Sequence, residues 1–150
     1  NGYLDLKTRF PLFSYKNPSL KKSTFSTGLT YMGDGGYLNP FTNEAQVNAK
    51  LPNFRFPVIT GHEIGHQIGY SAENEVNFIG YLVTATNKDL YFKYAAAAYA
   101  LSYSLSEIKL KDEKKFHELY YVLNRVVQKK YEDLYRFWLA YENPLEPFFK

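Results

Sequence analysis

The run His62-Glu63-Ile64-Gly65-His66 constrains this chain more than any other feature of its sequence, and it holds two of the three histidines. Side chains four residues apart on a helix project from the same face, about one turn above each other. Two imidazoles in that arrangement can bind one divalent ion, while the acid beside the first reaches a water molecule on that ion. We therefore expect a metal-binding helix over residues 58–68, ended by Gly69 in a left-handed conformation.

Composition limits both the ligands of such a site and the class of protein. The chain has 150 residues, so we expect a single domain over residues 1–150 with a sizeable core. It has no cysteine, which leaves His, Glu and Asp as the expected donors to Zn2+. The formal net charge is +3 with lysines scattered among acids, so no nucleic-acid partner is indicated. No apolar stretch reaches the ~18 residues that a membrane span needs.

The third protein ligand is expected just after the motif. Glu73 and Glu75 are the available acids, at the start of a second predicted helix. We favour Glu73, because Asn77 lies one turn further on the same face and can hold His62 or Glu73 through a hydrogen bond. Glu75 would project about 160° away and is more simply an acid at a helix N-terminus. His117 stands in a lysine-rich stretch and is expected on the surface.

Glu63 is adjacent to a ligand rather than one turn from it, so we expect it beside the water and not on the metal. Zinc lowers the pKa of its water toward ~7, and Glu63 can take the proton as that water attacks a carbonyl. The same carboxylic acid can then pass the proton to the leaving amine. The sequence thus predicts zinc-dependent hydrolysis of a peptide bond. Tyr91, Tyr94 or Tyr99 could donate to the oxyanion, although core packing is the simpler role for each.

A substrate peptide must also be held beside the ion. Residues 44–48 alternate polar and apolar side chains, which indicates a short, half-exposed strand before the motif helix. The strand is expected at the edge of a sheet, where an extended peptide could add to it, or it could be an ordinary edge strand without that role. The candidate substrate-binding residues are Glu44, Ala45, Gln46, Val47 and Asn48.

The rest of the pattern is mainly helical. Residues 1–26 indicate irregular or short extended segments, and Asp34-Gly35-Gly36 is a turn signal that could join two strands. Residues 90–105 predict a third helix, and residues 116–139 predict one amphipathic helix or a broken pair. We expect an α+β fold of the zincin type, mostly helical, with a small sheet packed on the motif helix.

Three blocks of the sequence, residues 36–48, 62–69 and 73–82, resemble a family of uncharacterised bacterial membrane proteins with a zincin-like segment. That family is classified only as a domain of unknown function. The order of strand, motif helix, and a helix bearing Glu with Asn four residues later is also similar to gluzincin-type metallopeptidases. These enzymes are related to phage-repressor-cleaving and radiation-response regulators. Their pattern supports Glu73 with Asn77, although Val76 stands where they commonly have Ala.

The resemblance also implies a location and a partner. The family's hydrophobic N-terminal segments are missing from this chain, which opens with Asn1. We therefore expect a soluble, extracytoplasmic domain that is tethered to a membrane by segments outside this chain and acts on a peptide or protein substrate. The competing hypothesis is a non-catalytic domain that keeps the metal as a sensor or clamp, or binds peptides without cutting them. Glu63 argues against it, because a structural site gains nothing from a general base.

Overall fold

The structure, a computed structural model, describes residues 2–13 and 18–144, which form seven α-helices and three short strands. The elements in chain order are α1 (Gly2–Arg9), β1 (Leu20–Lys22), α2 (Ser26–Met32), β2 (Gly36–Asn39), β3 (Glu44–Val47), α3 (Phe56–Gln67), α4 (Glu73–Ala85), α5 (Leu90–Lys111), α6 (Glu113–Tyr121) and α7 (Arg125–Leu139). A 3-10 turn over Asn53–Arg55 leads directly into α3. The prediction of an α+β fold, mostly helical with a small sheet, is confirmed.

The three strands form one mixed sheet in the order β1-β3-β2. β3 pairs in parallel with β1, where Leu20 lies opposite Ala45, and antiparallel with β2, where Gly36 lies opposite Val47. β3 is therefore the central strand, and β2 is an edge strand among the described residues. A strand does form within the predicted range 44–48, but the expectation that it lies at the sheet edge is wrong.

Alternation along β3 reports which faces are buried rather than where the strand lies in the sheet. Ala45 and Val47 point into the core with 0% and 2% exposure, while Glu44 and Gln46 are half-buried. A central strand of a one-sided sheet has this pattern as readily as an edge strand. The signal at Asp34-Gly35-Gly36 was also misplaced, because it leads from α2 into β2. The turn between β2 and β3 instead uses Asn43, at φ 53°.

Glycines bring α3 and α4 into direct backbone contact. A Cβ on Gly61 would lie 3.0 Å from Gly80 Cα, and one on Gly80 would lie 2.7 Å from a backbone oxygen of α3. One turn further along α3, Gly65 faces Val76, so the two helices run antiparallel. Gly69, at φ 107°, follows α3 as predicted and turns the chain back into α4.

An N-terminal helix packs on α3 and α4, where the sequence predicted irregular structure. The Tyr3 hydroxyl donates to the carbonyl oxygen of Gly61 at 2.6 Å, and Leu6 is 0% exposed. α1 has only eight residues, so its apolar face is too short to stand out as a helical period. The core cluster draws on α1, β3, α3 and α4 through Tyr3, Leu6, Ala45, Ile64, Ile79 and Val83.

The C-terminal half is a run of three helices. The predicted third helix continues past residue 105 to Lys111, and Asp112 then caps α6 by accepting from the backbone of Lys115 at 2.8 Å. Residues 116–139 form a broken pair, because the Asn124 side chain caps a new helix, α7. None of the described helices is long and apolar enough to cross a membrane.

Replacing Gly80 with Ala should lower the free energy of unfolding by at least about 2 kcal/mol, because the methyl group would overlap the backbone of α3. The effect runs against helix propensity, which favours Ala by about 1 kcal/mol. Urea denaturation measures it, with Asn74→Ala on the exposed side of α4 as the matched control. Equal unfolding free energies for the wild type and Gly80→Ala would show that the two helices are not held in contact here.

Candidate metal centre

Helical spacing on α3 brings His62 and His66 together, as the sequence predicts. Their Nε2 atoms lie 3.2 Å apart, and the rings meet edge to face with centroids separated by 4.8 Å. Both side chains are partly buried, so they are held in place yet open to a cleft.

The other nitrogen of each ring is fixed by a carbonyl oxygen. His62 Nδ1 donates to Asn77 Oδ1 at 3.0 Å, and His66 Nδ1 donates to the backbone oxygen of Tyr70 at 2.9 Å. A carbonyl oxygen only accepts, so each Nδ1 carries the hydrogen and each neutral ring keeps its lone pair on Nε2. The two lone pairs therefore point at one shared position, which is the arrangement that a cation requires.

Glu73 completes the set of donors. Its carboxylate oxygens lie 3.4 Å from His62 Nε2 and 3.3 Å from His66 Nε2. The turn at Gly69 makes this possible, because it sends the first turn of α4 back past the imidazoles. Glu75 is exposed and does not line the cleft. Of the two acids that the sequence offered, the structure thus brings Glu73 to the histidines.

The separations among the three residues fit a single tetrahedral ion. Ligand atoms at about 2.0–2.1 Å from zinc and at tetrahedral angles lie roughly 3.3–3.4 Å from one another. Here the two Nε2 atoms lie 3.2 Å apart, and each has a different carboxylate oxygen of Glu73 at 3.3 or 3.4 Å. The Glu73 side chain is 72% exposed, so solvent reaches the centre from the cleft. His62, His66 and Glu73 can accordingly hold one Zn2+ and leave a fourth position accessible.

Glu63 lies beside this set but further from it. Its Oε1 is 4.0 Å from His62 Nε2, and ligand atoms of His62, Glu63 and His66 lie within 4.8 Å of one another, so Glu63 is an alternative third donor. Gly36 on β2 packs against it, since a Cβ there would lie 2.7 Å from Oε1. Glu63 is 4% exposed, and its Oε2 has no hydrogen-bond partner among the described residues. A buried acid oxygen without a partner is costly unless a proton or a ligand meets it.

Burial also shifts the protonation equilibria. It raises the pKa of Glu63 to about 8, helped by the negative charges of Glu73 and Asp34. Burial, and then the neighbouring His66, lower the pKa of His62, while Glu73 and the hydrogen bond to Asn77 partly oppose them. His62 is thereby favoured as a neutral imidazole, the form that binds a metal.

The centre opens into a cleft of about 660 Å³. The loop before β2 and β2 itself form one wall, over residues 33–38, and Tyr99 of α5 lines the cleft as well. The sequence pointed to neither β2 nor the Tyr70 carbonyl as part of the site. The signal for β2 was the Gly35-Gly36 pair, which the sequence indicated only as a turn; Gly36 packs against Glu63, and Gly35 packs against Ile59.

Of the three candidate tyrosines, Tyr99 lines the cleft and the other two do not. The Tyr99 hydroxyl donates to Asn77 Oδ1 at 2.9 Å, so it supports the residue that holds His62. Tyr91 and Tyr94 are exposed and do not line the cleft. His117 is exposed on α6, as predicted.

Comparison with known proteins identifies a family but no activity. The model of a family described as "Protein of unknown function (DUF3810)" matches residues 1–150. The chain belongs to the DUF3810 family. No curated protein matches it, and no solved structure matches it. The predicted resemblance to an uncharacterised family is confirmed for this DUF3810 chain, while the relationship to zincin metallopeptidases stays a prediction.

Without metal, Glu63→Gln should stabilise this DUF3810 domain in a pH-dependent way. Glu63 holds its proton up to about pH 8 in the folded state but ionises near 4.5 when unfolded. The folded state therefore binds more protons between these values, and wild-type stability falls as the pH rises through that window. Glutamine does not lose stability in this way, so its advantage over the wild type should grow to about 4 kcal/mol by the upper end of the window. Denaturation with a chelator present, at several pH values, measures the difference, and a pH-independent gap contradicts it.

Proposed function

We propose that the domain is a zinc-dependent peptidase in which His62, His66 and Glu73 hold the metal and Glu63 is the general base. The observation that carries the proposal is the convergence of three residues, in which the two Nε2 atoms lie 3.2 Å apart and each lies 3.3–3.4 Å from one carboxylate oxygen of Glu73, with both Nδ1 atoms already satisfied. An unpartnered, buried carboxylate beside that convergence is what general-base catalysis needs. Zinc bound there would supply a Lewis acid that polarises a carbonyl and makes water more acidic.

Glu63 moves the proton in this scheme. Its carboxylate accepts a proton from the water that attacks the scissile carbonyl, and it then donates that proton to the nitrogen of the departing amine. Burial keeps Glu63 protonated in the absence of a cation, and a positive charge within reach favours its ionised form. The base is thus prepared only when the centre is loaded.

Asn77 and Tyr70 act by holding the ligands. Their carbonyl oxygens accept from His62 and His66 and fix both imidazoles in the tautomer that leaves Nε2 free. Partners of this kind orient a ligand and raise its basicity. Tyr99 extends the same arrangement by donating to Asn77.

For the substrate strand we now propose β2 in place of the predicted residues 44–48. β3 is paired on both sides, whereas β2 pairs only with β3 among the described strands and lines the cleft. An extended peptide could therefore add to the free edge of β2 through backbone hydrogen bonds. β3, Glu44 to Val47, would then support β2 by pairing with its other edge. The membrane tether and the extracytoplasmic location stay predictions from the resemblance.

Replacing Glu73 and Glu75 separately with Gln tests which of the two acids binds the metal. Glu73→Gln should weaken zinc binding by more than the roughly 10–100-fold that is typical of losing a supporting residue. Glu75→Gln, the matched control two residues away, should bind zinc like the wild type. Competition with a chromogenic zinc chelator measures both affinities. Equal affinities for the two variants would remove Glu73 from the ligand set.

Cleavage tests the role of Glu63. The zinc-loaded protein should hydrolyse members of a quenched fluorogenic peptide library, and Glu63→Gln should lower kcat/KM by at least about 10²-fold. Zinc content is measured for both proteins, because the substitution should leave the metal in place. Zinc binding with no Glu63-dependent cleavage would contradict the peptidase proposal and support a metal-dependent sensor or peptide-binding domain.

A further inference from the structure

Arg55 lies in the same cleft as the metal centre but does not contribute to it. It ends the 3-10 turn before α3, with helical dihedral angles, and its side chain lines the cleft. One stripe of helically spaced residues lines the cleft: Arg55, immediately before α3, followed by Ile59, His62 and His66 within it. Seven residues separate Arg55 from His62, which places their Cα atoms about 10 Å apart along the helix axis.

No acidic side chain of the described residues forms an ion pair with the guanidinium of Arg55. Among residues 2–13 and 18–144 it takes part in no ion pair or side-chain hydrogen bond, and its one specific contact is with the Tyr99 ring, 5.1 Å from Cζ to the centroid. The side chain is nevertheless partly buried. Burial lowers the pKa of Arg55, and the nearby Tyr99 and Tyr131 hydroxyls only partly offset this. A partly desolvated cation without a carboxylate is a site where an incoming anion would be stabilised.

The acids of the cleft do not supply that anion. Glu63 and Glu73 belong to the metal centre, and Asp34 acts electrostatically on Glu63. Since Arg55 lines the cleft and forms no side-chain hydrogen bond with the described residues, its guanidinium N–H groups can donate to a ligand there. Arg55 and Gly33 also line a second cavity of about 520 Å³, which continues the cleft toward Trp138 of α7. The guanidinium is therefore accessible where the two cavities meet.

We propose that Arg55 binds a carboxylate group of the substrate peptide, about three residues from the scissile bond. The distance follows from the ~10 Å offset along α3 and the ~3.3 Å that each residue of an extended peptide spans. The guanidinium fork matches a carboxylate in a bidentate arrangement, which makes Arg55 a specificity-determining residue. This inference rests on the proposed peptidase function.

The carboxylate can belong to an acidic side chain or to the C-terminus of the peptide. An acidic side chain makes the enzyme an endopeptidase with a preference for Asp or Glu, whereas a free C-terminus makes it cut a short fragment from the end. Both sources share one chemistry, and matched peptides separate them.

The test uses fluorogenic decapeptides of Gly, Ser, Ala and Leu in which one Glu is moved through every position. Each has a Gln and a Lys counterpart, and each is made with a free and with an amidated C-terminus. The wild type, Arg55→Gln, Arg55→Glu and the control Arg125→Gln, an exposed residue on α7, are loaded with zinc and compared. Thermal unfolding and zinc content are measured for each, so that a preference is compared only among folded, loaded proteins.

The wild type and the Arg125→Gln control should favour one carboxylate position by about ten- to a hundredfold in kcat/KM over its neutral counterpart. That ratio should fall to about one in Arg55→Gln, and Arg55→Glu should instead favour Lys at the same position. If Arg55→Gln loses the preference for Glu peptides, the carboxylate belongs to a side chain of the substrate. If it loses the preference for free C-termini, the carboxylate belongs to the C-terminus. A preference that survives in Arg55→Gln overturns the proposal, as does a wild type that cleaves but has no carboxylate preference.

A binding measurement keeps this test separate from the peptidase proposal. Zinc-loaded Glu63→Gln is titrated with the same peptides, labelled for fluorescence anisotropy, with and without the added Arg55→Gln substitution. Arg55-dependent binding of carboxylate peptides without cleavage by the wild type would contradict the peptidase alone. Cleavage without Arg55-dependent selectivity or binding would contradict the Arg55 proposal alone, and carboxylate-independent binding would do the same.

Discussion

The backbone contact between α3 and α4 is the constraint on which the rest of the site depends. Gly61 and Gly80 allow the two helices to touch, and this contact sets Glu73 and Asn77 against His62. Side chains on either glycine would separate the helices and move the two ligand sets apart. The geometry of the candidate metal centre is thus a property of helix packing rather than of the five-residue motif alone. The same packing leaves Glu63 Oε2 buried without a hydrogen-bond partner among the described residues, at a free-energy cost that a functional role would explain.

The spacing of residues along the helices made the candidate metal ligands predictable. The four-residue separation of His62 and His66, the turn at Gly69 and the position of Glu73 on the next helix all follow from helix geometry. The order of the strands could not be predicted from the sequence. The alternation along residues 44–48 indicates that one face of the strand is buried, but it does not indicate which strands pair with it. Helix α1 was missed since eight residues carry too little periodicity. The Tyr70 carbonyl reaches His66 through the turn at Gly69, and a backbone carbonyl leaves no side-chain signal in a sequence. Arg55 was missed because its contact with Tyr99 of α5 is a tertiary one.

Charge is distributed unequally along the cleft. The metal end concentrates carboxylates around two imidazoles, an arrangement that a divalent cation would neutralise. The other end carries the guanidinium of Arg55, which contacts the Tyr99 ring and forms no ion pair with the described residues. Tyr99 links the two, since its ring contacts Arg55 while its hydroxyl donates to Asn77. A peptide lying along β2 would meet both ends, which is how one cleft could combine hydrolysis with selection for a substrate carboxylate.

Zinc K-edge X-ray absorption of the loaded protein tests the central claim most directly, because it reports the number, type and distance of the metal's neighbours. The account predicts a four-coordinate ion with two imidazole nitrogens and two oxygens, all at about 2.0–2.2 Å. One oxygen would come from Glu73 and the other from solvent. Six-coordinate zinc, or scattering from fewer than two imidazoles, would contradict the convergence of α3 and α4 on a single ion.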